Sequence, residues 1–229
     1  MSNSMLTAAW VNYMDPPVRA LSGLVHQSAG DAVSQAGQTD EATEAFCKAL
    51  FLVEQENGLQ YQNSTQWYMP NVQLGQSLKF PRDTMRDKSG TCIELAILYA
   101  AVCESSGVKA YLMMVPGHCF PMVELPESHE LFPVESTAVN NYGEVVINNV
   151  DQHRKERMSF EDACVGGMRN LIKYTQEGMF YRVDVENMQG FGVQCPDLPA
   201  LDNDVITKWG WKNIDLSSGG SKNQGQPGA

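Results

Sequence analysis

The fold is decided by residues 89–107, which have the sequence SGTCIELAILYAAVCESSG. From Cys92 to about Ser105, apolar side chains occupy nearly every side of a predicted helix, and such a helix is buried on most of its faces. Ser106 and Gly107 mark its end. We therefore expect a central buried helix around which the rest of the chain packs.

Helices are also predicted before this central helix. Asp15-Pro16-Pro17 favours a helix start, because Pro is preferred in the first turn. A second helix is predicted from Thr39, which can cap it, to Asn57-Gly58, where it stops. Residues 59–81 are mostly polar with scattered aromatic residues, and they predict an irregular surface loop.

The pattern changes to short strands after the central helix. Strands are predicted at residues 110–115, 119–125, 131–136 and 144–150, with turn residues between them. A capping box at Ser159–Asp162 predicts a last helix that ends near Gln176, and residues 181–185 predict a final strand.

This layout predicts an α+β fold in which the central helix packs against an antiparallel meander. Residues 217–229 are rich in Gly, Ser and Gln, a composition typical of disordered tails. We expect one domain over residues 1–216, followed by that tail.

Composition and charge exclude some classes of function. The 229 residues include 27 acidic and 16 basic side chains, for a net charge of -11. So acidic a chain repels nucleic acids and anionic membrane surfaces, and neither is expected as a partner. No apolar stretch reaches the roughly 18 residues of a membrane-spanning helix and no targeting segment is evident, so a cytoplasmic protein is expected. The six cysteines form no CxxC pair and are expected to be reduced thiols.

Cys92 is the residue whose position most needs a chemical explanation. At the start of a helix, a thiol faces unpaired backbone N–H groups and the positive end of the helix dipole, and both favour the nucleophilic thiolate. The alternative is that Cys92 is simply a small buried apolar side chain.

His118 and Glu135 are candidates for the partners of Cys92. His118 follows Pro116-Gly117 at a strand end, where a histidine can be held rigidly and can accept a proton from a nearby thiol. Glu135 lies in an apolar predicted strand, where an acid usually has a partner and could orient the imidazole. The alternatives are an ordinary histidine and an edge-strand charge. The other histidines, His26, His129 and His153, are expected to face solvent.

Residues 79–137 resemble the bacterial transglutaminase-like superfamily, a group of papain-related cysteine enzymes. The resemblance starts at Phe80-Pro81 and Gly90-Thr91-Cys92, and includes the small-residue helix that ends at Gly107. It continues with the strand that contains Pro116-Gly117-His118 and with Val134-Glu135-Ser136-Thr137. These elements occur here in the order typical of that family.

The resemblance implies a Cys-His-acid triad carried by Cys92, His118 and Glu135, with core motifs spanning residues 76–137. It also implies that Gln76 helps to hold an oxyanion together with the backbone N–H of Cys92. Many members of that family have Asp at the positions of Glu135 and Glu94. Cys119, next to the histidine, replaces a residue that is usually small.

The implied reaction is acyl transfer to Cys92 from an amide or ester, through a thioester, with a peptide or protein as substrate. Hydrolysis by a protease or amidase is favoured over transfer to an amine, because nothing marks an amine site. No cofactor and no metal are predicted, and the sequence does not indicate an oligomeric state.

The sequence allows three other interpretations. A zinc site built from Cys92, His118 and Cys119 is unfavourable, because neighbouring residues on a strand point to opposite faces. An acetyl-CoA-dependent transferase would need a basic nucleotide-binding patch, and none is visible. The main alternative is a catalytically inactive binding module on the same fold.

Overall fold

The computed structural model describes residues 3–63, 77–146, 153–202 and 204–216. It begins with a 3-10 helix (Asn3–Trp10), α1 (Pro16–Ala29), a second 3-10 helix (Gly30–Val33) and α2 (Asp40–Glu56). The Thr39 hydroxyl accepts a hydrogen bond from the N–H of Ala42. The predicted starts of both α-helices are therefore confirmed.

The segment after α2 is more regular than the sequence predicted. Gln60–Tyr61 forms strand β1, and Pro81–Asp87 forms helix α3. Ser89–Gly90 forms β2, which pairs with β1 in parallel. The prediction of an irregular loop over 59–81 was wrong at β1, because this two-residue strand exists only through pairing with a segment 29 residues later in the chain. Residues 64–76, including Gln76, lie outside the described residues.

The predicted central helix is confirmed as α4 (Cys92–Ser105). Every residue from Glu94 to Cys103 is buried. The helix packs against α1 and α3 on one side and against the main sheet on the other. Its first residue is Cys92, as the sequence indicated.

The remaining strands are β3 (Ala110–Val115), β4 (His118–Glu124), β5 (Leu131–Pro133), β6 (Tyr142–Val146), β7 (His153–Arg157) and β8 (Tyr181–Asp184). The main sheet of the described residues has the antiparallel order β5-β4-β3-β8. The meander is confirmed for β3, β4 and β5. The described part of the predicted strand at 144–150, residues 144–146, is not part of it, because β6 pairs with β7 in a separate hairpin after a 3-10 helix (Ser136–Asn140) turns the chain away. Residues 147–150 lie outside the described residues.

Glu135 is not in a strand, contrary to the prediction. Strand β5 ends at Pro133, and Glu135 caps the 3-10 helix that follows. Its carboxylate accepts a hydrogen bond from the N–H of Thr137. Such a local side-chain bond competes with strand pairing, and this explains why the strand stops before the acid.

The chain continues through α5 (Phe160–Gln176), α6 (Val185–Gly190) and α7 (Val205–Lys208). The predicted capping box is confirmed at the start of α5, where Asp162 accepts from the N–H of Ser159 at 3.0 Å and the Ser159 hydroxyl accepts from the N–H of Asp162 at 3.1 Å. The predicted end of this helix at Gln176 is also confirmed.

The two faces of the main sheet are both covered. Alternate residues of β3 and β4 face the principal core around α4, which extends from Ala8 to Trp211 along the chain. The opposite face carries a smaller apolar cluster, against which Leu171 and Tyr174 of α5 pack. The sheet therefore lies between α4 and the C-terminal half of α5, and the site described below forms where these layers meet.

Within the described residues, no helix is both long and apolar enough to cross a membrane. All six cysteines are free thiols. His26 does not face solvent as predicted: it is half-buried, its ring lies 5.2 Å from that of Phe46, and its Nε2 lies 3.3 Å from the hydroxyl of Ser106. His129 is exposed, as predicted.

Candidate active site

Cys92 is held at the first position of α4 by a carboxylate two residues further along the helix. The side chain of Glu94 accepts hydrogen bonds from the N–H of Thr91 at 2.8 Å and from the N–H of Lys79 at 3.0 Å. Glu94 is only 3% exposed, so these two bonds satisfy a buried acid and join the start of α4 to the segment before α3. The position of Cys92 is thereby constrained by both segments.

His118 is the first residue of β4, directly after the tight turn Pro116-Gly117. Gly117 has φ +73°, a conformation that glycine adopts at little cost, so the turn can close and return the chain to pair His118 with Val115. The side chain of His118 forms a hydrogen bond with the sulfur of Cys92. Its Nε2 lies 2.7 Å from Oε2 of Glu135, which leaves Nδ1 as the ring nitrogen for the thiol.

Glu135 is surrounded by donors on both carboxylate oxygens. Oε1 accepts from the hydroxyl of Thr137 at 2.7 Å and from its N–H at 3.3 Å. Oε2 faces His118 and also accepts from Nδ2 of Asn170, on α5, at 3.0 Å. The carboxylate is therefore fixed in one orientation although it is only two residues beyond the end of β5.

The backbone of β4 contributes a further donor to Cys92. Strand β5 pairs only with residues 122–124 of β4, so among the described residues the β5-side edge of β4 has no strand beside it near His118. There the N–H of Cys119 forms a hydrogen bond with the sulfur of Cys92. The Cys119 side chain itself is buried in the principal core. No group of three or more His, Cys, Asp or Glu side chains suited to a metal ion occurs in the part of the chain that the structure describes.

These contacts change the acidity of the thiol. Burial by itself raises the pKa of Cys92, but hydrogen bonds from His118 and from the N–H of Cys119 oppose burial, as does the positive charge of His118. The net result is a pKa for Cys92 below its ordinary value of 9.0. The surroundings thus favour the thiolate over the thiol.

The pKa shifts of His118 and Glu135 also favour the charged form of each side chain. Burial tends to lower the pKa of His118, but hydrogen bonds with Cys92 and Glu135 outweigh it and raise the pKa to about 10. For Glu135, burial tends to raise the pKa, yet the bonds from His118 and Thr137 lower it overall. All three shifts favour the charged forms, which lie in a row as thiolate, imidazolium and carboxylate.

The sulfur and the imidazole border a cavity of about 480 Å³. Its walls include Tyr61 of β1 and Asn63 just after this strand, together with Ile93 and Met114. The Tyr61 hydroxyl donates to Oδ1 of Asn63 at 2.9 Å. Burial raises the pKa of Tyr61, and the negative charges of Cys92 and Glu135 raise it further, which reflects how close this ring is to the site. Cys92 and His118 therefore both lie in the lining of this cavity.

The structure thus brings together Cys92, His118 and Glu135, the three residues predicted from the sequence. The fourth, Gln76, lies outside the described residues, and its role stays a prediction. Two further residues of the site, Asn170 and Tyr61, were not predicted from the sequence. Tyr61 is aromatic and lies in a polar segment, which is a weak signal, while nothing local to α5 links Asn170 to an acid 35 residues earlier.

Compared with known proteins, the chain matches no family model, and no curated protein is significantly similar to it in sequence. Any function must therefore be inferred from the site itself. A thiolate at a helix start, a histidine in contact with it and an acid that orients the histidine are the elements of nucleophilic catalysis.

Proposed function

We propose that this protein is a transglutaminase-like cysteine enzyme that catalyses acyl transfer, as a protease or amidase acting on a peptide or protein. The observation that carries the proposal is the unbroken contact from Cys92 through His118 to Glu135 beside an open cavity. The opposite pKa shifts of Cys92 and His118 support it, because a lowered thiol pKa and a raised imidazole pKa both favour the charged pair of thiolate and imidazolium.

In the acylation step, the thiolate of Cys92 attacks the carbonyl carbon of an amide, and the carbonyl oxygen takes up the negative charge. The backbone N–H of Cys92, in the first turn of α4, is a donor for this oxyanion, and the side-chain amide of Gln76 is the second predicted donor. The imidazolium of His118 gives its Nδ1 proton to the leaving nitrogen as the C–N bond breaks. An amine departs, and a thioester remains on Cys92.

In the second step, His118 is neutral and accepts a proton from water, which attacks the thioester carbonyl. The C–S bond breaks, a carboxylic acid is released, and Cys92 returns to the thiolate. An amine in place of water would give a transamidated product by the same steps. Glu135 keeps Nε2 of His118 protonated and stabilises the imidazolium throughout.

The direct test compares Cys92 with the other five thiols of the same molecule. Brief treatment with iodoacetamide at neutral pH, followed by peptide mass spectrometry, should label Cys92 well before the other five, because only a thiolate reacts quickly. Cys195 is a matched internal control, since it is also only partly buried but its pKa is raised by burial.

The same sample should form a thioester with an activated ester such as p-nitrophenyl acetate, detected as a burst of nitrophenolate and an acetyl mass on the Cys92 peptide. Cys92→Ala should lose the burst and keep its melting temperature. A Cys92 that is labelled no faster than Cys195 would contradict the proposal and favour an inactive binding module.

A further inference from the structure

We infer that Asn170 of α5 is a positioning residue of this site, whose side-chain amide holds the Glu135 carboxylate so that Oε2 faces His118. The inference rests on the proposed function, because it gives Asn170 a part in the same Cys-His-Glu arrangement. It also makes α5, which lies outside the segment that resembles the transglutaminase-like superfamily, a part of the site.

The inference follows from the way in which hydrogen-bond donors are divided between the two carboxylate oxygens of Glu135. Oε1 of Glu135 is occupied by Thr137, whereas Oε2 is shared by Nε2 of His118 at 2.7 Å and Nδ2 of Asn170 at 3.0 Å. Without Asn170, nothing among the described contacts of Oε2 except the imidazole itself would keep this oxygen in place. A neutral amide also leaves the carboxylate its full charge, so the attraction between Glu135 and the imidazolium is retained.

The short side chain of Asn170 reaches the acid because α5 lies against it. Ala163, Gly166 and Asn170 are three and then four residues apart, so they lie on one face of the helix. The carbonyl of Ala163 accepts the N–H of Glu135 at 3.0 Å. A Cβ at Gly166 would lie 3.5 Å from Cβ of Glu135, in ordinary contact. Three successive positions on one face of α5 therefore lie against Glu135.

The test measures two properties of Cys92 in wild type, Asn170→Ala and Gln176→Ala. The first is the rate of the acylation burst with p-nitrophenyl acetate, and the second is the pH midpoint of its alkylation by iodoacetamide. Gln176→Ala is the matched control, because it removes an exposed side-chain amide from the same helix.

For Asn170→Ala we expect acylation to fall about tenfold, at the lower end of what loss of a supporting hydrogen-bond partner costs at a functional site. The alkylation midpoint should move up, towards the ordinary 9.0 of a thiol, because a misplaced carboxylate no longer supports the imidazolium. Gln176→Ala should match wild type in both properties.

Asn170→Asp keeps the test informative if the alanine variant does not fold. Two carboxyls that share a site cannot both ionise easily, so one keeps a proton above its ordinary pKa. While protonated, the introduced carboxyl can donate to Glu135 as the amide does. His118, Tyr61 and Cys119 also lie around Glu135, and the last two stay uncharged at neutral pH because their pKa values are raised. Acylation relative to wild type should therefore decline as pH rises and that shared proton is lost.

The outcomes separate this inference from the proposed function. If Cys92 of the wild type shows no preferential alkylation, the proposed function fails, and this inference fails with it. If wild-type Cys92 is reactive but the folded Asn170 variants keep its midpoint and its acylation rate within about twofold, only the inference is overturned. A lower melting temperature with both properties unchanged would mean that Asn170 has a purely structural role.

Discussion

Gly167 of α5 lies directly against Pro133, the last residue of β5. A Cβ built at Gly167 would lie 3.0 Å from Cβ of Pro133 and 3.1 Å from its carbonyl carbon, closer than side chains normally approach a backbone. The neighbouring Gly166 has room, because its nearest such contact is 3.5 Å. The close approach at Gly167 sets the distance between α5 and the segment that carries Glu135.

The glycine pair predicts opposite effects of the same substitution. Gly166→Ala should raise the free energy of unfolding by up to about 1 kcal/mol, because Ala is the better helix former and meets only ordinary contacts. Gly167→Ala gains the same propensity but must push α5 away from the Pro133 backbone, at a cost of about 1–3 kcal/mol. Urea unfolding of both variants compares them directly. Equal stability of the two variants would contradict the close approach.

Glu135 provides a prediction about mechanism. Glu135→Gln keeps the shape of the side chain but can donate to Nε2 and favour the wrong tautomer of His118, so acylation of Cys92 should fall by about 100-fold or more with the fold intact. Glu135→Asp should lose less, since it keeps the charge on a shorter side chain. Single-turnover acylation of both variants, with a thermal melt of each, is the measurement. If Glu135 were a solvated charge, both would stay within about twofold of wild type.

The pH dependence of Cys92 follows from the two pKa shifts. Because the pKa of the thiol is lowered, the rate of alkylation should rise with a midpoint below the ordinary value of 9.0. The pKa of His118 is raised to about 10, so acyl transfer from an amide substrate to Cys92 should decline above that pH, where the leaving nitrogen loses its proton donor. The acidic limb therefore belongs to the thiol and the alkaline limb to the imidazolium.

His118→Ala tests which residue causes the lowered pKa. Burial alone raises the pKa of Cys92, so loss of His118 should move the alkylation midpoint upward. His129→Ala is a suitable control, since that imidazole is exposed and lies beyond the cavity-lining residues. An unchanged midpoint in His118→Ala would show that the two side chains do not interact in solution.

Glu54 provides a prediction about stability. This residue of α2 is 2% exposed, and its Oε1 has no hydrogen-bond partner among the described residues. Burial raises the pKa of Glu54 well above its ordinary 4.5, so the folded protein holds it neutral while the unfolded chain ionises it. Above pH 4.5 the free energy of unfolding should therefore decline by about 1.4 kcal/mol per pH unit from this group, until its folded pKa is reached.

Glu54→Gln removes this ionisable group. Its free energy of unfolding should match that of wild type near pH 4 and should exceed it increasingly as pH rises. Its neighbours Tyr99 and Cys103 carry no charge at neutral pH, because burial raises the pKa of both groups well above their ordinary values. Urea unfolding of the two proteins at several pH values gives the difference. A stability difference that does not change with pH would contradict a neutral Glu54.

Local signals in the sequence were enough for the long helices α1, α2, α4 and α5, but not for the short helices α3, α6 and α7. The near-continuous apolar run after Thr91 predicted α4 from Cys92 to Ser105, and the capping box at Ser159 predicted the start of α5. Both signals act within one or two turns of the chain, because helical hydrogen bonds and caps join residues close in sequence. The placement of Cys92 at a helix start followed from the same local pattern.

Only the tertiary structure decided which segments meet. The pairing of β1 with β2 and the addition of β8 beside β3 join residues far apart in sequence. The β6–β7 hairpin is local, but its separation from the main sheet depends on the rest of the fold. The periodicity of a strand indicates which of its faces is buried but not which strand lies beside it. For that reason the sequence predicted the individual strands β3, β4 and β8 better than their arrangement.

The site likewise combines features that local sequence patterns predicted with features that only the tertiary structure decided. Cys92, His118 and Glu135 could be selected from the sequence, because each has a local setting that suits its chemistry. That Glu135 leaves the strand to cap a 3-10 helix, and that Asn170 reaches it from α5, required the packed molecule. The hydrogen bond from Asn170 depends on how closely α5 approaches β5, and that distance is set by packing at Gly167 and Pro133 rather than by any local pattern.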